Sequence, residues 1–179
     1  MKRKAKGFTF IELAITMAIA AVAFTLALPS FATMVKNRRL AYQINDFTAT
    51  LNLARSEAVK RRIPVTVCKS NDDGTACVLT GDLSQQRIVF VDDKSTVGTV
   101  EDGELILKVY TAMHSSLSFS GAAGPAGSNI ANFISYNANG TTQDGGNVKL
   151  CDDRTGTFGK NISVNAMGRN RTTSGIGCS

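Results

Sequence analysis

The sequence predicts an α+β protein in which one long N-terminal helix, membrane-spanning in its first half and amphipathic in its second, packs on antiparallel β-sheet tied by two disulfides. Three observations carry this. An apolar run of 21 residues, Phe8 to Leu28, follows a basic start. Apolar residues then recur at steps of three and four from Leu40 to Ala58, the period of a helix with one buried stripe. Beyond Pro64, short β-like runs alternate with Gly, Asn and Asp clusters, and all four cysteines fall in this part. A chain of 179 residues holds one domain plus an anchor rather than two independent cores, and no internal repeat is visible.

The first seven residues carry four positive charges, Lys2, Arg3, Lys4 and Lys6. The apolar run that follows is interrupted only by Thr9, Glu12, Thr16 and Thr25. As a helix it spans about 31 Å at about 1.5 Å per residue, enough for a hydrocarbon core of about 30 Å. The basic flank predicts that the N-terminus stays in the cytoplasm and the C-terminal part is exported. A cleaved secretory signal, ending at Ala18-Ile19-Ala20 or Ala21-Val22-Ala23, is the alternative. Glu12 weighs against it, because a carboxylate within an apolar run is costly and a disposable signal gains nothing from it.

After the membrane segment, Pro29 is expected to kink or locally open the helix by removing a donor and crowding the preceding turn. Leu40, Ile44, Phe47, Leu51, Ala54 and Ala58 form the buried stripe, with Asn37, Arg38, Arg55, Lys60 and Arg62 on the opposite face. The helix should end near Arg61–Ile63, since Pro64 disfavours helical geometry in the residue before it. Strands are predicted at Val65–Cys68, Arg87–Val91, Leu105–Tyr110, Leu117–Phe119, Phe133–Tyr136, Val148–Cys151 and Asn161–Ala166. Gly121–Asn129 reads as a flexible loop.

The formal net charge is +6, distributed as basic ends around an acidic middle. Residues 64–144 hold nine acidic and four basic residues, whereas residues 145–179 hold five basic and two acidic. The cysteines allow three pairings. Cys68 and Cys77 bracket a turn-rich stretch suited to local closure, which leaves Cys151 with Cys178; free buried thiols and a zinc site are the alternatives. With one histidine, His114, and no Cys-x-x-Cys pair, a zinc ligand set is not formed, so two disulfides and an extracytoplasmic domain are expected.

No catalytic constellation is evident. His114 has no cysteine or carboxylate at a spacing that suggests a triad or metal. Asp72-Asp73-Gly74 and Asp152-Asp153 read as turns, since neither follows the alternating pattern of a calcium loop. No Gly-rich phosphate loop is present, and no cofactor is expected. The chemistry-bearing stretch is the tail, where Gly168-Arg169-Asn170-Arg171 places two arginines two residues apart. If extended, both side chains point the same way, and guanidinium forks bind phosphate bidentately. Gly168 beside them would allow close backbone approach. Lys149, Arg154 and Lys160 could widen the basic patch, and a Cys151–Cys178 bond would enclose it.

Gly7-Phe8-Thr9-Phe10-Ile11-Glu12-Leu13 resembles the N-terminal signal of type IV pilins and type II secretion pseudopilins. The resemblance implies a leader of residues 1–7, cleavage by a prepilin peptidase after Gly7, N-methylation of Phe8, and a role for Glu12 in pairing with a neighbouring subunit's terminal amine during assembly. It also implies an inner-membrane segment over 8–35 and a periplasmic globular domain over 36–179, helical to about Arg62 and β-rich thereafter, with the inner membrane as partner before assembly into an extracellular pilus. Leu51-Asn52-Leu53-Ala54-Arg55-Ser56-Glu57-Ala58, Arg62, Val65-Thr66-Val67-Cys68 and the closing Gly168-Arg169-Asn170-Arg171 are similar to the GspH/FimT group of minor pilins. In its FimT branch a Gly-Arg-x-Arg segment is associated with DNA binding in natural transformation, which implies DNA and other pilin subunits as partners. A structural or initiation subunit, or a secretion pseudopilin without a DNA role, is the alternative.

Overall fold

The computed structural model describes residues 7–78, 80–94, 96–122 and 133–178, and of Leu26 and residues 120–122 the backbone alone. The leader positions 1–6 lie outside the described residues. The chain divides into two compact units, residues 1–38 and 39–179.

One α-helix, α1, spans Phe10–Arg61. Thr9 caps its start: the Thr9 hydroxyl accepts from the Glu12 backbone N–H at 3.3 Å, the Thr-x-x-Glu arrangement of a capping box. Glu12 therefore also has a local role, as an acid in the first turn of a helix. The helix is long and apolar enough near its N-terminus to cross a membrane. The expected opening at Pro29 does not occur, and α1 is helical through it. The Thr33 hydroxyl donates to the Pro29 carbonyl at 3.1 Å.

Within the second unit the predicted stripe of α1 is the core. Leu40, Ile44, Phe47, Leu51, Ala54 and Ala58 are all buried, each of the larger side chains worth about 2 kcal/mol. The helix ends as anticipated, with Arg62 in the left-handed conformation (φ 59°) that closes helices, two residues before Pro64. Arg55 departs from expectation: it is half-buried rather than on a solvated opposite face.

Among the described residues eight strands follow: β1 (Val65–Lys69), β2 (Arg87–Val91), β3 (Ile106–Tyr110), β4 (Ser118–Ala122), β5 (Phe133–Tyr136), β6 (Gly146–Cys151), β7 (Gly156–Val164) and β8 (Asn170–Cys178). They form two antiparallel four-stranded sheets, ordered β3-β2-β1-β5 and β4-β6-β7-β8. The expected Gly121–Asn129 loop is contradicted at its first two residues, since Gly121 and Ala122 of β4 pair with Val148 and Asn147 of β6; its remainder lies outside the described residues. The largest difference is β8, which sequence reading treated as a tail. Its Gly, Thr and Ser content gives no apolar alternation, and its strand state comes from pairing with β7 over most of its length.

Disulfides join Cys68 to Cys77 and Cys151 to Cys178. The first closes a turn that Asn71 organises, its side-chain oxygen accepting from the Thr75 and Ala76 amides at 2.8 and 3.1 Å. The second fastens the end of β8 to the end of β6.

Candidate functional site

The tail arginines sit on the β7–β8 hairpin, where strand register decides which way each side chain points. Val148, Leu150, Ile162 and Val164 are buried in the core. Residues directly opposite in an antiparallel pair share a face, so Asn170 and Thr172, opposite Val164 and Ile162, lie on the core side. Two contacts to α1 agree. Asn170 Nδ2 donates to Asn52 Oδ1 at 2.9 Å, and the Thr172 and Thr48 hydroxyls lie 3.5 Å apart. Arg171, opposite Ser163, is thereby turned to the outer face, where it is exposed.

Arg169 ends the turn that leads into β8. Asn165 builds that turn: its carbonyl accepts from the Gly168 N–H at 2.8 Å, and its side-chain oxygen accepts from the Arg169 N–H at 3.0 Å. Gly168 has a role different from the expected one. It is buried with φ 70°, and a Cβ there would lie 2.1 Å from the Gly140 carbonyl oxygen and 3.1 Å from Arg55 Nε. The close approach it permits is to the protein's own backbone. Arg55 completes this junction, its Nε donating to the Gly140 carbonyl and its Nη2 to the Met167 carbonyl, both at 3.0 Å.

Arg169 and Arg171 line one groove of about 1250 Å³, together with Gln143, Asn147, Ser163 and Asn165. None of the described residues lining it is acidic. Two cations among carboxamides, hydroxyls and glycines Gly145 and Gly146 form a polar, electropositive concavity suited to a phosphate-bearing chain. The other three basic residues singled out from sequence are placed differently. Lys149 shares the outer face, opposite Asn161, but its ammonium donates to the Gly177 carbonyl at 2.9 Å. Lys160 lies opposite Leu150, hence on the core-side face, and donates to the Ser174 hydroxyl at 3.0 Å. Arg154 is already neutralised: Nη2 and Nε reach Asp152 Oδ2 at 2.6 and 2.9 Å, and its guanidinium lies 4.2 Å from the Phe158 ring centre. The patch is thus narrower than the sequence suggests.

Sequence reasoning missed Gln143, Asn147, Ser163 and Asn165, whose convergence depends on register between strands far apart in sequence. An Asn three residues before a Gly-Arg pair at a strand end was the one local signal, as a turn former. His114 lies apart, with Nδ1 2.9 Å from the Ser116 hydroxyl and 3.3 Å from Arg39 Nη1. No group of metal-ligating side chains occurs among the described residues.

Comparison with known proteins places the chain in a family. Residues 2–28 match the prokaryotic N-terminal methylation motif, which implies pilin-type processing and assembly with other subunits. No curated protein is a significant sequence match. The fold is similar to that of the Pseudomonas aeruginosa PAO1 type IV minor pilin FimU in two crystal forms. In one the TM-score is 0.58 at 17% identity, covering 78% of this chain and 92% of that one. In the other it is 0.54 at 17% identity, covering 76% and 94%. Residues 43–168, well over half of the chain, match the family described as type II transport protein GspH, and the chain belongs to that family of pilin-like proteins.

Proposed function

We propose that this chain is a minor type IV pilin of the FimT branch that binds extracellular DNA through its phosphate backbone, for uptake in natural transformation. The observation that carries the reading is the groove that Arg169 and Arg171 share with carboxamide and hydroxyl groups and no described carboxylate. Contacts of this kind position a duplex without reading its bases, and no recognition helix is directed outward from the hairpin. Arg169 and Arg171 are the principal contacts. Lys149 is a secondary one, and Lys160 and Arg154 contribute least because of their face and their pairing. The remaining steps follow the pilin pattern: cleavage after Gly7, N-methylation of Phe8, membrane residence with the domain in the periplasm, and assembly through Glu12. A second reading has its own support in the family description, which is that of a secretion protein. There the chain is a pseudopilin or initiating subunit that contacts other pilins alone.

The test is duplex affinity of the oxidised protein in zwitterionic detergent across a salt series, beside the Arg169→Ala/Arg171→Ala variant. Wild-type binding, with a log–log salt slope shallower by up to about 2 in the variant, supports the DNA reading. Equal binding, or none at moderate salt, moves the assignment to the structural subunit. A deletion strain that keeps pili but loses DNA uptake separates the two in the cell.

A further inference from the structure

Arg55 lies on α1, more than a hundred residues from the hairpin in sequence, yet its guanidinium holds two turns at once. Nε donates to Gly140, in the turn between β5 and β6, and Nη2 donates to Met167, in the turn between β7 and β8, both at 3.0 Å. A side chain at Gly168 would collide with the Gly140 carbonyl oxygen and crowd Arg55. A third link, from the Thr142 N–H to the Ala166 carbonyl at 3.0 Å, joins the same two turns. Both turns also line the groove, one through Gln143 and the other through Asn165 and Arg169.

We propose that Arg55 is a positioning residue for the Arg169 contact, clamping the Asn165–Arg169 turn so that Arg169 meets a phosphate without first ordering its own backbone. This rests on the DNA-binding reading above. The fork is what matters, since two N–H donors on one planar edge satisfy two carbonyls from separate segments, which an ammonium does not reproduce. A turn already fixed loses less entropy when it binds.

The experiment compares wild type, Arg55→Ala, Arg55→Lys, Arg169→Ala and Arg55→Ala/Arg169→Ala, all as the full oxidised chain in zwitterionic detergent. Each is titrated with a short duplex of arbitrary sequence over a salt series, and amide hydrogen exchange is followed at Gly168 and Arg169. Arg55→Ala and Arg55→Lys should both weaken binding by about tenfold, approaching the effect of Arg169→Ala. The salt slope should fall by up to about 0.9. In the double variant the losses should not add, because both remove one contact. Exchange at the two amides should accelerate while protection in β1 and β2 is unchanged.

Full binding by Arg55→Lys, or additive losses, would mean that Arg55 meets DNA with its own charge and would overturn the positioning role. Unchanged exchange at Gly168 and Arg169 in Arg55→Ala overturns the clamp whatever the DNA result. Absence of wild-type binding instead removes the DNA reading, and the exchange data then decide the clamp alone.

Discussion

The two sheets use arginine in opposite ways. In the first, β1 and β2 are buried on both faces: Val65, Val67 and Val89 face the main core, while Cys68, Ile88 and Phe90 form a second cluster behind. Arg87 is fully buried there. It pairs with Asp46, lies near Thr50, and stacks 4.8 Å from the Tyr110 ring centre. Burial pushes its pKa down and the Asp46 carboxylate opposes this. The second sheet is covered on one face, so Arg171 at its edge strand is exposed. Burial decides the role: the enclosed arginine joins helix to sheet, whereas the open one has its charge directed to the groove.

The comparison can be broken first through the disulfides, one in each sheet. Cys151–Cys178 closes a 27-residue separation and Cys68–Cys77 one of 9. Chain entropy assigns them about 3.5 and about 2.7 kcal/mol respectively. Paired Cys→Ser variants, followed by denaturant unfolding, should therefore lose more stability in the second sheet. The reverse order would mean that the doubly covered sheet depends more on its staple.

A smaller effect separates contact from backbone conformation in the hairpin. Gly168 and Gly175 both have positive φ, 70° and 79°, but a Cβ at Gly175 meets nothing within 4 Å. Gly175→Ala should cost about 1 kcal/mol, the ordinary left-handed penalty. Gly168→Ala should cost at least about twice that and disturb Arg169 as well. Thermal melts of the two variants read the difference.

The smallest expected effect lies at the seam between sheets. Asp144, just before β6, accepts from the Ser135 N–H of β5 at 2.8 Å. Burial raises its pKa above the usual carboxylate range, with the Ser135 amide partly opposing. An acid whose folded pKa is raised disfavours the fold when ionised. Stability is therefore greatest below the unfolded pKa and falls as pH rises through the folded one. Asp144→Asn should raise Tm slightly at pH 7, and the gain should vanish below about pH 4. A gain that persisted in acid would assign it to packing instead.

Legibility in the sequence followed the range of the interaction involved. The stripe from Leu40 to Ala58 was readable because helical contacts are local and periodic. The start of β1 at Val65, past Pro64, was readable for a similar reason: its apolar and β-branched run is local. Two sheets rather than one were not, since which strands pair depends on partners far along the chain. The same holds for Arg55, whose half-buried place is set by carbonyls contributed from two distant turns.

By itself the sequence determined the apolar N-terminal run and the amphipathic helix that builds the core, and it singled out the Gly168-Arg169-Asn170-Arg171 segment as the candidate site. Tertiary structure decided that this segment is a turn running into an edge strand, that Arg169 and Arg171 share a groove while Arg154 and Lys160 do not, and that Gly168 serves packing. The physical reason is register. Each residue's face is set by the strand it pairs with, and for β8 that strand is β7, held in turn by the core beneath it.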